Sequence, residues 1–226
     1  MALKHIVFLT GAGMSAESGI STFRDSNGLW ENHAIEDVAT PQGFSKNPEL
    51  VLSFYNARRK QLFDVEPNQG HKLISGLEDD YKISIVTQNV DDLHERAGSD
   101  SVLHLHGELR KVRSSVDSSL IRYWDKDLNV GDKCDKGFQL RPHIVWFGEA
   151  VPTMEEAIDI VQSADMVVVI GTSLQVYPAA GLMDYAQPTA KIFYIDPKPS
   201  INSNDRVLVI AKTASEGMKE LIKNYL

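Results

Sequence analysis

A glycine-rich run, Gly11-Ala12-Gly13-Met14-Ser15-Ala16, stands just behind the apolar run Ile6 to Leu9. Gly11 and Gly13 permit a tight turn and let backbone come close to a pyrophosphate. The small Ser15 and Ala16 let a helix begin nearby with its N–H groups toward phosphate. The chemistry implied is nucleotide binding, and a plain structural turn is the alternative. Asn89 and Asp91 follow a second apolar run, Ile83 to Val86. Such side chains can hold a polar ligand or cap a helix. His104 and His106 would share a face of a strand. A histidine suits general-base work because its pKa lies near neutrality, but a single one between Leu105 and Gly107, taken alone, reads first as a structural side chain. Tyr55 and Arg58 are three apart and share a helix face. A phenol and a guanidinium together can grip a carboxylate; taken alone, the pair reads as a solvated basic face, as do Arg59 and Lys60.

The elements that must position these residues are short apolar runs alternating with helical patterns. Ile6–Leu9, Ile83–Val86, Met166–Ile170, Lys191–Ile195 and Val207–Ile210 are rich in β-branched residues and mostly lack polar alternation. Parallel strands covered on both faces look like this. Met154 to Ser163 and the final segment have helical spacing. The expected fold class is α/β, a doubly wound Rossmann-like parallel sheet with a smaller inserted lobe. Ligands of such sheets bind beyond the carboxyl ends of the strands, which makes Gly171, Thr172, Ser173 and Asp196 candidates by position. Thr172 and Ser173 could hydrogen-bond phosphate or ribose, or form a plain turn. Asp196 can accept from a ribose hydroxyl, and its charge disfavours a 2′-phosphate, so NAD is expected over NADP. Residues 1–32, 77–108 and 143–226 are assigned to the nucleotide-binding domain. Residues 33–76, a helical insert, and 109–142, a polar insert, are assigned to the small lobe.

With 226 residues the chain can bury a sizeable core. Its formal charge of −8 disfavours nucleic acid or an anionic membrane as partner and suits a lysine-bearing protein surface better. No apolar run reaches the roughly 20 residues of a membrane span. The opening residues lack a signal-peptide pattern, and one cysteine, Cys134, excludes an intramolecular disulfide framework; a cytoplasmic location is expected.

Read together, five ordered segments resemble the sirtuins, NAD-dependent protein lysine deacylases. They are Gly11 to Trp30 (GAGMSAESGISTFRDSNGLW), Thr87-Gln88-Asn89-Val90-Asp91 with Leu93-His94, Leu105-His106-Gly107-Glu108, Val145-Trp146-Phe147-Gly148-Glu149, and Gly171-Thr172-Ser173. The resemblance covers nearly the whole chain. It implies NAD as cofactor and acyl-lysine proteins or peptides as substrates, with release of nicotinamide and O-acyl-ADP-ribose. It gives His106 the role of general base toward a ribose hydroxyl, Asp91 the nicotinamide carboxamide, and Asn89 the ribose or an ordered water. Phe23 and Arg24 resemble part of the loop that covers NAD. Gly11, Ala12, Gly13, Ala16, Trp30, Gln88, Gly171, Thr172, Ser173, Asp196 and Ala214 fall at cofactor-binding positions. Val145, Trp146, Phe147 and Gly148 resemble the strand that pairs with substrate backbone, with a core strand as the ordinary alternative. Tyr55 and Arg58 resemble the pair of the branch that removes succinyl, malonyl or glutaryl groups, so acetyl should be the weaker substrate.

The family's structural zinc needs two cysteine pairs. Here Ser114 and Ser115 stand where a cysteine is usual and Cys134 is the only thiol, with Asp132 and Asp135 nearby. Four-thiolate zinc is excluded and no zinc is expected, a mixed site of Cys134 with aspartates and a histidine being the lesser alternative. The small lobe would then rest on packing through Ile121, Tyr123 and Trp124. Mono-ADP-ribosyl transfer, which shares the NAD cleavage step, and non-catalytic NAD sensing stay open as alternatives.

Overall fold

The computed structural model describes residues 3–21, 29–30 and 33–226. Phe23 and Arg24 lie outside the described residues.

A six-stranded sheet carries the molecule, in the order β11-β10-β9-β1-β4-β5 and parallel throughout. Its strands are β1 (His5–Thr10), β4 (Lys82–Thr87), β5 (Val102–His104), β9 (Met166–Ile170), β10 (Lys191–Ile195) and β11 (Val207–Ile210). Side chains alternate between the two faces, and both faces are covered. Val7, Leu9, Val86, Val167, Val169 and Tyr194 pack beneath α7 (Met154–Gln162). Ile6, Phe8, Ile85, Val168, Ile170 and Ile195 pack beneath α8 (Ala214–Tyr225) and α5 (Gln69–Ser75), through Met218, Leu221 and Ile74. Two-sided burial is why these strands read as unbroken apolar runs. From β1 the chain moves outward to β4 and β5, then returns to the other side of β1 for β9, β10 and β11. The order therefore reverses between β1 and β9, where a doubly wound sheet opens a crevice at its carboxyl edge.

The small lobe is built on an antiparallel sheet, β7-β6-β8, from β6 (Gly107–Ser114), β7 (Ile121–Tyr123) and β8 (Leu140–Ile144). The seventeen-residue helix α4 (Pro48–Asp64) packs against it. Asn47 caps α4, its side-chain oxygen accepting from the Leu50 N–H at 3.1 Å, and Pro48 opens the first turn. The lobe's core differs from the expected one. Ile121 and Tyr123 are exposed, and the buried cluster is Leu52, Val112, Leu128, Cys134 and Leu140, with Trp124 partly buried against it. β7 is an edge strand whose side chains all face solvent, so its apolar residues could not be core. The helix α5, grouped with the lobe by sequence, packs instead on α8 and the large sheet.

Candidate active site

The glycine opening is used first for packing within the protein. The Gly11 N–H donates to the Ile170 carbonyl at 3.0 Å and the Gly13 N–H to the Gly171 carbonyl at 2.8 Å. A Cβ on Gly13 would stand 2.6 Å from Gly171 Cα, and one on Gly11 2.8 Å from Thr172 Cβ. The loops after β1 and β9 thus interlock backbone to backbone, with Gly171 at φ +63°. The helix after the glycines, α1 (Ala12–Ser15), is only four residues long and runs into a 3-10 turn over Ala16–Ser18. It is too short for the dipole-based phosphate site expected from the sequence.

Thr10 and Thr87 end β1 and β4 in register. The Thr10 hydroxyl donates to Thr87 Oγ1 at 2.8 Å, and that oxygen also accepts the Asn89 N–H at 3.0 Å. Beyond them a buried polar relay forms. Asn89 Nδ2 donates to Ser15 Oγ at 3.0 Å, and the Ser15 hydroxyl donates to Asp91 Oδ2 at 2.9 Å. Asp91 Oδ1 accepts the Leu93 N–H at 3.2 Å in a local turn, while the N-cap position of the following helix is Asp92, whose side chain makes no cap bond, so Asp91 is not that helix's cap. Burial pushes the Asp91 pKa up, against the Ser15 and Leu93 hydrogen bonds that pull it down.

His106 lies one residue beyond a backbone bond from the Leu105 N–H to the Thr87 carbonyl. Its Nδ1 stands 3.1 Å from the Gln88 carbonyl. A carbonyl only accepts, so Nδ1 carries the proton and Nε2 keeps its lone pair. Nε2 has no hydrogen-bond partner among the described residues. Burial lowers the His106 pKa, and the Gln88 carbonyl only partly offsets that. His106 is therefore neutral, with a basic nitrogen available. Gly107 follows at φ +82°, where a Cβ would collide with the His143 carbonyl.

The nucleotide candidates line the carboxyl edge. Gln88 Nε2 reaches Thr172 Oγ1 at 3.3 Å across the end of β1. The Tyr194 hydroxyl donates to the Thr172 carbonyl at 2.9 Å and steadies the β9 loop, which continues into Ser173. Asp196 ends β10, 4% exposed, and Oδ1 accepts the Lys198 N–H at 2.8 Å. Ala214 is buried at the start of α8, whose Ser215 N–H is held by Glu17 Oε2 at 2.9 Å. Ala12 is half-buried and Ala16 exposed in the opening loop. The backbone of Trp30 pairs with His33 in a two-residue ladder. Gln88, Thr172 and Asp196 thus stand at the carboxyl ends of β4, β9 and β10, beside the interlocked glycine loops, where a doubly wound sheet binds its ligand.

On the other side of Asp91 lies a cavity of about 20 Å³ walled by Arg58, Gln61, Ile20, Val90, Leu109 and Asp91 itself. Arg58 is buried, against the solvated face that it would occupy as a bystander. Tyr55 is fully buried one turn away; its oxygen accepts from Trp146 Nε1 at 3.0 Å, and burial raises its pKa. Arg59 also departs from the solvated reading. It is 2% exposed, its Nε donating to the Leu109 carbonyl at 3.0 Å and its Nη1 to Asn56 Oδ1 at 2.9 Å. Lys60 is solvated, paired with Asp127 at 3.1 Å.

Val145 to Gly148 do not form a strand. β8 ends at Ile144, and the segment turns, with Gly148 at φ +88°. Its amides are taken: Val145 N–H by the His106 carbonyl, Trp146 N–H by Glu149 Oε2 and Phe147 N–H by the Ala39 carbonyl, at 2.9, 2.8 and 3.0 Å. Trp146 is a core residue and Phe147 is exposed. Glu149, which sequence reasoning left without a role, gathers Arg141 at 2.6 Å and Arg113 at 3.2 Å, and Arg141 stacks 3.4 Å from the Trp146 ring centre. Thr10, Thr87 and Ser15 were also missed as site-builders; the signal for the two threonines was their place at the ends of adjacent strands, and Ser15 lies in the short helix after the glycines.

Compared with known proteins, the sequence pattern of the Sir2 family matches residues 11–178. An NAD-dependent protein deacylase of Helicobacter pylori (strain ATCC 700392 / 26695) is 56% identical over 225 residues, covering 99% of this chain and 98% of that protein. One of Bacteroides thetaiotaomicron is 54% identical over 226 residues, 97% of each. The crystal structure of a Sir2 homologue in complex with NAD superposes with a TM-score of 0.85 at 40% identity, covering 98% of this chain and 89% of that one.

Proposed function

The chain belongs to the Sir2 family, and from that premise we propose that it is an NAD-dependent protein-lysine deacylase favouring acyl groups that end in a carboxylate, succinyl and malonyl before acetyl. The observation that carries the acyl preference is the cavity shared by Arg58 and Asp91. It sets a buried guanidinium beside the residue expected to bind nicotinamide. An acidic acyl chain entering there would meet Arg58, with Tyr55 buried one helical turn behind it, and the charge-assisted bonds would offset the guanidinium's desolvation. Acetyl would leave those donors without an acyl partner.

The loops at Gly11–Gly13 and Gly171–Ser173 would border the diphosphate, Asp196 the ribose hydroxyls, Ala214 the adenine, and Gln88, Asn89 and Asp91 the nicotinamide end. Bound NAD supplies a nicotinamide leaving group and an electrophilic ribose carbon. Asp91 would accept from the carboxamide, with Ser15 holding the carboxylate in place. His106 would take a ribose hydroxyl proton on Nε2, its Nδ1–H anchored on Gln88. Substrate backbone would donate to carbonyls of the 145–148 turn. We read the small lobe as zinc-free, because Cys134 is buried among Leu52, Val112 and Leu140 and lies 3.3 Å from the Ser114 hydroxyl. Metal analysis of purified protein checks this, and stoichiometric zinc would overturn it.

The first experiment is a matched assay of succinyl-lysine and acetyl-lysine peptides with NAD, following nicotinamide and deacylated product by mass. Preferential desuccinylation supports both parts of the reading. Acetyl preference removes the acyl pocket but keeps the class, and a peptide gaining ADP-ribose would move the protein to transfer chemistry.

A further inference from the structure

Two consecutive carbonyls after β4 each receive a histidine, His104 from the last residue of β5 and His106 from the turn that follows it rather than from the same strand. His106 bonds the Gln88 carbonyl, and His104 Nδ1 bonds the Asn89 carbonyl at 2.9 Å. The two rings are in different states. His104 Nε2 meets Glu95 Oε1 at 2.7 Å. One partner is a carbonyl and the other a carboxylate, and neither can donate, so both ring nitrogens carry protons and the ring is an imidazolium. Its side chain is 7% exposed while that of Glu95 is 39% exposed. The buried cation is thus clamped between the loop before α6 (Leu93–Arg96) and a carboxylate from α6 itself.

We propose that His104 is a positioning residue for the nicotinamide end of the cofactor site, holding the Asn89 carbonyl to Glu95 and so setting where the Asn89, Ser15 and Asp91 relay stands. The inference rests on the deacylase reading above. The Asn89 backbone is fixed from two sides, its N–H on Thr87 Oγ1 and its carbonyl on His104. With both ends held, its amide is aimed at Ser15, which aims Asp91. Releasing the carbonyl would free this loop without touching His106, whose anchor is the preceding carbonyl.

The clamp is sensitive to pH. Burial opposes the charge on His104, but the Glu95 hydrogen bond and charge outweigh it and the pKa is raised. Other groups facing the ring are Glu108 of β6, itself 2.6 Å from Lys111, Asp91, and the neighbouring His94. A raised pKa means the clamp is intact below it and fails as pH rises through it.

The test measures nicotinamide release with a saturating acyl-lysine peptide across pH 6 to 9.5, for wild type, Glu95→Gln, His104→Gln and His104→Ala. Wild type should lose kcat/KM for NAD on an alkaline limb, and Glu95→Gln should move that limb about one pH unit lower. His104→Ala should raise KM for NAD at least fivefold with kcat within threefold, and abolish the limb. His104→Gln, whose amide can donate to Asn89, should recover part of the KM. A limb unmoved by Glu95→Gln, or a wild-type KM in His104→Ala, overturns the proposal. If His104→Ala does not fold, the limb shift in Glu95→Gln decides alone. Wild type that releases no nicotinamide is the separate failure of the deacylase reading.

Discussion

At the residue scale, function rests on which protonation state each group is held in. His106 is neutral because burial outweighs its single carbonyl bond, and its lowered pKa has a definite consequence. A base must be deprotonated, so the acid limb of kcat/KM should fall below the ordinary histidine value of about 6.5. A limb at or above pH 7 would contradict this. His106→Ala should reduce kcat on an acyl peptide by about 10²–10⁴-fold, with the circular dichroism spectrum unchanged; activity within tenfold of wild type would remove it from the chemistry. Arg58→Met should cost desuccinylation about 10–100-fold in kcat/KM, the worth of a hydrogen bond to a charged group, while deacetylation changes less than threefold. Equal losses on both peptides would mean that Arg58 supports structure rather than acyl selection.

At the element scale, close backbone approach replaces what longer helices do elsewhere. α1 is too short to act through its dipole, and the interlocked loops at Gly13 and Gly171 define the crevice instead. Gly107 marks where the chain leaves the large sheet for the small one: β5 ends at His104, and β6 begins at a positive φ against the His143 carbonyl. Gly107→Ala should therefore destabilise by at least ~2 kcal/mol, from the left-handed backbone and the collision together. Urea unfolding measures it, and a loss under ~0.5 kcal/mol would show that the turn relaxes freely. The Glu149, Arg141 and Arg113 group works at the same scale. It holds the turn after β8, places Trp146 under Arg141, and through the indole N–H fixes Tyr55, one helical turn from Arg58.

At the scale of the whole molecule, acid stability follows from buried neutral histidines. His71 and His94 meet edge to face with ring centres 4.8 Å apart, 0% and 1% exposed. Burial lowers the His71 pKa to about 4 and that of His94 well below the ordinary value; burial with Arg113 nearby lowers His143 to about 4. The unfolded chain binds these protons first. Stability should therefore be complete above pH 6.5 and fall as pH drops toward 4, with no further loss from His71 and His143 below that. For fully buried His71 the difference is on the order of 3 kcal/mol, from about 1.4 kcal/mol per pKa unit. Urea midpoints between pH 7.5 and 4 test it, and His71→Phe should flatten the dependence. A midpoint independent of pH across that window would show that the pair is solvated.

The α/β architecture was legible because two-sided burial leaves unbroken apolar runs. All five runs read from the sequence became strands of the large sheet, and α7 and α8 fell where helical spacing placed them. The edge strand β5 and the antiparallel lobe were not legible. β5 is three residues long and half-buried, and β6 carries Arg110, Lys111 and Arg113, whose aliphatic stems and ion pairs do work that apolar residues signal elsewhere. Sequence alone determined the family motifs, their order and the absence of paired cysteines, since these are matters of residue type and spacing. Only the tertiary structure decided the rest. It separated a charged His104 from a neutral His106, buried Arg58 beside Asp91, turned Val145 to Gly148 out of a strand, and gave Glu149 two arginines. Each depends on groups distant in the chain meeting at low dielectric, where a neighbour's carbonyl or charge decides the state of a side chain and local pattern carries no record of it.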